Sequence, residues 1–133
     1  MIYDVMAKTT SIALLGDFSK DPVALGPIGD EFRWSVDAVP DLRGLEDLCR
    51  RNDVVAVLLN APTLDVPWED ALKAVRAVAP EARTVICTSA PEMHRRREMT
   101  EAGAYHTLLL PLDSREVRQS LSFVAGSQLR GKT

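Results

Sequence analysis

A chain of 133 residues, 46% hydrophobic and 26% charged, has the size and balance of one domain able to bury a core without disulfides or metals. Sixteen basic against nineteen acidic side chains leave a net charge of −3, which argues against direct nucleic-acid contact by this domain. No apolar run approaches the ~20 residues of a membrane span, Met1 to Thr10 lacks the regions of a signal peptide, and Cys49 and Cys87 lack metal-ligand spacing. The expectation is a cytoplasmic protein with buried, reduced thiols, no metal and no cofactor.

Residues 1–10 read as an irregular lead-in. Ser11 to Leu15 is the first buried strand, closing on Gly16-Asp17. A helix is expected from about Pro22, capped by Ser19 or Asp21, and Gly26-Pro27 and Gly29 should leave it short, kinked or broken. Phe32 to Val36 alternates apolar and polar residues, as a half-exposed edge strand does. Asp41 opens a helix with Leu42, Leu45, Leu48 and Cys49 on one face, ending near Arg51-Asn52.

Val54 to Leu59 is six apolar residues in a row, followed by Asn60. So short and continuous a run fits a central strand of a parallel sheet, buried on both faces. After a loop over 61–66, Pro67 suits a helix's first turn; Trp68, Leu72, Val75 and Val78-Ala79 form its stripe and Pro80 stops it. Thr84 to Thr88 is the fourth strand, then Ser89-Ala90-Pro91 leads into a helix to about Ala102, with Gly103 as its C-terminal cap. Tyr105 to Leu110 is the fifth strand, ended by Pro111. Asp113-Ser114-Arg115-Glu116 has capping-box spacing and opens a last helix with Val117, Leu121 and Val124 inward. Residues 126–133 are polar and read as a tail or the start of a linker.

Five strands alternating with five helices make an α/β, doubly wound (βα)5 unit with a five-stranded parallel sheet, since crossovers between parallel strands are right-handed. Ligands of such sheets sit beyond the carboxyl ends of the strands, where Asn60 stands.

Glu101-Ala102-Gly103-Ala104 followed by Leu110-Pro111, and the ending Leu58-Leu59-Asn60, resemble the Ala-Gly-Ala, Lys-Pro and Leu-Leu-Asp signatures of response-regulator receiver domains of the chemotaxis (CheY-like) type. The resemblance covers residues 11–125 and implies a flavodoxin-like sheet in the order 2-1-3-4-5. It also implies a cis Leu110–Pro111 bond, where the strand must turn sharply.

A working receiver phosphorylates an aspartate after its third strand, using Mg²⁺, a hydroxyl and a lysine. At the matching positions this chain has Asn60 for the aspartate, Gly16 and Asp17 for the acidic pair, and Ser89 for the hydroxyl. Leu110 replaces the lysine, Thr107 the switch aromatic, and Pro62 stands where a carbonyl would ligate the metal. A carboxamide cannot form an acyl phosphate, and one carboxylate should hold Mg²⁺ weakly. The expectation is a pseudo-receiver without catalysis, with Asn60 also able to cap a turn, Asp17 the first helix and Ser89 the fourth.

His94, Arg95, Arg96 and Arg97 are expected as a positive patch on the outer face of the fourth helix, extended by Arg115 and Arg118. Glu98, Glu101, Asp113 and Glu116 are candidate partners across a two-fold axis. That face would serve self-association or a protein partner, including an output domain after Thr133. The alternative is a ligand-sensing variant that binds a small molecule beside Asp17, Asn60 and Ser89. A flavodoxin-like enzyme has little support: no G-x-G-x-x-G follows the first strand, and His94 and His106 have no third ligand.

Overall fold

The computed structural model describes residues 8–131. Five parallel strands, β1 (Thr10–Leu15), β2 (Ser35–Val39), β3 (Asp53–Asn60), β4 (Arg83–Thr88) and β5 (His106–Leu109), lie in the order 2-1-3-4-5. Five α-helices connect them: α1 (Leu25–Glu31), α2 (Leu42–Arg51), α3 (Trp68–Val78), α4 (Arg96–Glu101) and α5 (Ser114–Gly131). Short 3-10 turns at Ala61–Thr63 and Ala90–Arg95 precede α3 and α4.

β3 is the central strand, and all of Val54 to Asn60 is buried. From Ala56 on, its side chains alternate between two cores, because successive residues of a strand point to opposite faces; a bulge at Val55 puts that residue on the same side as Ala56. Val57 and Leu59 join Leu45, Leu48, Leu72 and Val75 under α2 and α3. Val55 and Leu58 join Ile28, Val117, Leu121 and Val124 under α1 and α5. Truncating a residue as enclosed as Leu58 costs about 2–5 kcal/mol in such a core. At the opposite end of the sheet a polar relay is fully paired: Asn52 Nδ2 donates to Ser11 Oγ (2.7 Å), which bonds Ser35 Oγ (2.7 Å), which donates to Asp37 Oδ2 (2.8 Å).

α2 and α3 end where predicted, at Arg51 and Val78, while the expected fourth helix is a 3-10 turn up to Arg95 and α-helical only over Arg96–Glu101. Asp41 caps α2 by accepting from the Gly44 amide (2.8 Å), and the predicted Val117–Leu121–Val124 face is buried. Gly103 (φ +116°) closes α4 beneath the Arg76 guanidinium, which donates to the Ala102 carbonyl (3.0 Å); a Cβ there would lie 2.2 Å from Arg76 Nη1. Leu110–Pro111 is cis, as expected.

Several boundaries differ. α1 starts at Leu25, three residues after Pro22, because Pro27 lacks an amide hydrogen and must sit in a helix's first turn. Neither Ser19 nor Asp21 caps it; Ala24 occupies that position without a side-chain bond. β2 begins at Ser35 rather than Phe32: Phe32 closes α1, Arg33 turns through φ +62°, and Phe32 stacks on Trp34 at 5.1 Å. β1 takes in Thr10 from the expected lead-in, of which residues 1–7 lie outside the described residues. Residues 126–131, expected as tail or linker, continue α5, and β5 is shorter than predicted. Cys87 is buried, which pushes its thiol up to about 12, whereas Cys49 is only half-buried.

Candidate functional site

β1 and β3 pair with Leu15 beside Leu59, so Gly16 and Asn60 emerge together at the carboxyl end of the sheet. There the chain closes a ring of three hydrogen bonds. Asn60 Nδ2 donates to the Asp17 carbonyl (2.7 Å), the Asp17 amide donates to Thr63 Oγ1 (2.9 Å), and the Thr63 hydroxyl donates to the Asn60 carbonyl (2.9 Å). Only the amino end of the carboxamide can donate to a carbonyl, which fixes its orientation. Asn60 is 6% exposed, and its Oδ1 is buried without a partner among the described residues.

The ring explains Gly16. Its φ of +100° suits glycine, and a Cβ there would lie 2.8 Å from Thr63 Oγ1 and 2.9 Å from the Asn60 carbonyl oxygen. The first acidic position of a receiver therefore has no room for any side chain. Asp17, at the second, is exposed and turns its carboxylate to Ser19, accepting from that residue's hydroxyl (2.5 Å) and amide (2.9 Å). The Ser19 hydroxyl, then its amide, hold the Asp17 carboxyl below its ordinary range. Asp17 thus makes a local turn rather than capping α1, and Asn60 bridges β1 and β3 instead of capping with its side chain.

Asp21 makes a longer link. Its Oδ1 accepts from the Val23 amide (2.9 Å) and its Oδ2 from the Leu112 amide (2.9 Å), joining the loop after β1 to the segment after β5.

The β4–β5 half of the site is built differently. Ser89 stands at the cap position of the 3-10 turn without a side-chain bond, and Thr107 points its hydroxyl at Met99 Sδ (3.8 Å). Leu110 donates its amide to the Thr88 carbonyl (2.8 Å) and packs its side chain on the α1–α5 core. The structure brings Gly16, Asp17 and Asn60 together, gives Thr107 and Leu110 other partners, and leaves Ser89 at the cap position of the 3-10 turn. No group of three His, Cys, Asp or Glu among the described residues could hold a metal ion.

The basic residues do not form one free patch. His94 and Arg95 lie in the 3-10 turn, and His94 Nδ1 bonds the Pro91 carbonyl (2.7 Å). Arg95 turns toward α3: its guanidinium sits 5.3 Å from the Trp68 ring centre and bonds Glu98 (2.9 Å) and Glu69 (3.0 Å), with Glu92 at 3.8 Å. Those two bonded carboxylates, Glu98 first, raise its pKa. Arg97 pairs with Glu101 (3.3 Å) and Arg118 with Glu31 (3.1 Å). Arg96 and Arg115 are exposed. Glu98 and Glu101, expected to reach across a two-fold axis, are engaged within the chain.

Sequence reasoning overlooked Thr63, the link from Asp21 to Leu112, and the Trp68–Glu69 seat for Arg95. A hydroxyl three residues beyond Asn60 was the available signal for the first, since Thr side chains bond back to local carbonyls. A cavity of about 510 Å³ opens beside Asp17, but toward Phe18, Leu25 and Val36; neither Asn60 nor Ser89 lines it.

No family model and no curated protein matches the sequence. Solved structures do. The N-terminal signal receiver domain of a two-component response regulator from Bacteroides fragilis superposes with a TM-score of 0.74 at 15% identity, covering 88% of this chain and 97% of that one. A CheY-like response regulator receiver domain protein from Methanospirillum hungatei JF-1 gives 0.73 at 14% identity, covering 92% and 98%. The REC domain of AraT, a response regulator from Geobacillus stearothermophilus, gives 0.65 at 18%, covering 96% and 100%. The chain has the receiver fold.

Proposed function

We propose that this chain, a receiver fold with a closed acidic pocket, is a pseudo-receiver: a cytoplasmic signalling domain of the two-component type that works by protein contacts and not as an enzyme. The observation that carries this reading is the Asn60–Asp17–Thr63 ring over Gly16, which puts uncharged hydrogen bonds where a phosphorylated receiver needs carboxylates and Mg²⁺. Leu110 adds to it, since an aliphatic side chain cannot neutralise a phosphoryl oxygen. Contact would run through self-association on the α4–β5–α5 face or through an output domain. Exposed Leu109 and Phe123 on β5 and α5 support that surface.

The test is incubation of the purified chain with acetyl phosphate and Mg²⁺, read by intact mass. No phosphoryl increment is expected, and a stoichiometric one on an acidic side chain overturns the reading. The ligand-sensing alternative gains nothing from the cavity beside Asp17, because Asp17, Ser19 and Asp21 already bond within the chain.

A further inference from the structure

We infer that the apolar groove between α2 and α3 binds a basic, apolar-anchored segment of a partner protein. The inference rests on reading the domain as a contact module and supplies the partner's chemistry.

The groove opens beyond the carboxyl end of β1 and has a volume of about 580 Å³. Leu15, Leu64, Ala71 and Ala74 line its deeper part, all buried or half-buried, and the two alanines of α3 leave the space that larger side chains would fill. Leu42 at the start of α2 (36% exposed) and Val66 before α3 (49%) stand at its sides. These are two of the four large apolar side chains exposed among the described residues, so half of that surface converges on one concavity. An isolated exposed leucine is ordinary; two facing a hollow of this size have the form of a recognition site.

Charge selects the occupant. Asp41, Asp65 and Asp70 line the groove against Arg43, three negative charges to one positive, or a net of −2. The amino ends of α2 and α3 each contribute about half a positive charge, which leaves the groove acidic. A segment that buries one or two Leu- or Met-sized side chains here and flanks them with Lys or Arg meets both the apolar lining and the field.

The test is a displayed library of random peptides, on the order of 12 residues, panned on the immobilised full chain. Recovered sequences should place an apolar anchor among Lys and Arg. Synthetic copies should bind about tenfold more weakly to a Leu42→Glu/Val66→Glu variant, while Glu81→Ser, at an exposed position outside the groove, binds as the wild type does. Asp65→Lys/Asp70→Lys changes only exposed positions and keeps the test open if the first variant misfolds; it too should bind less well. Failure to enrich any peptide, peptides without basic residues, or wild-type binding to both groove variants overturns the inference. So does sedimentation equilibrium showing a dimer that the groove variants abolish, which would make a second copy the occupant. Phosphorylation by acetyl phosphate would overturn the pseudo-receiver reading while leaving the peptide result standing.

Discussion

The two halves of the site handle charge in different ways. At the ends of β1 and β3, Asn60 and Thr63 meet in neutral hydrogen bonds beside Gly16, in a site where Asn60 is buried. Beyond β4 the charges lie on the outside, where Arg95 gathers Glu69, Glu92 and Glu98 over the Trp68 ring. Buried charge is expensive and a neutral bond is not, which suits an inner half closed by uncharged groups. The outer half is wet, so its ion pairs cost little desolvation and are screened by salt.

Asn60→Asp attacks the inner half most directly. The new carboxylate would lose the bond to the Asp17 carbonyl and face that oxygen instead, costing about 3 kcal/mol at neutral pH. Burial should raise its pKa above the unfolded value. The variant should therefore be least impaired when protonated and lose stability as pH rises through the folded pKa. Urea unfolding at several pH values reads this, and a variant as stable as wild type at pH 8 would contradict it.

Gly16→Ala comes next, at about 2 kcal/mol, from strain at positive φ and the clash with Thr63 Oγ1. Thr63→Val should cost about 1 kcal/mol, since water can reach that residue and take over part of its bonding. The outer half yields the smallest effect: Arg95→Gln should lower the melting temperature slightly in low salt and less in 1 M salt. A salt-insensitive loss there would erase the distinction between the halves.

The sequence made the inner half partly legible. A continuous apolar run ending in Asn60 placed the central strand, and the capping pattern at Asp113 placed α5. The closure of the pocket was not legible, because it depends on backbone groups: the Asp17 carbonyl and amide do the bonding, whatever side chain stands at 17. The basic run at 94–97 misled for a related reason. Adjacent residues in a 3-10 turn and a following helix point in different directions, so a histidine and three consecutive arginines do not make one face. The start of β2 was missed because a positive φ at Arg33, a rare choice for a non-glycine residue, absorbs the turn out of α1.

The two bonds of Asp21 bear on the order in which the chain is completed. Its partner at Leu112 lies 91 residues downstream, so the first loop of the fold waits for nearly the last segment. Closing so long a loop costs entropy that only already-formed neighbours can offset. On a ribosome β1 emerges first, yet the bond from Leu112 that ties down the loop after it can form only after β5 has been synthesised.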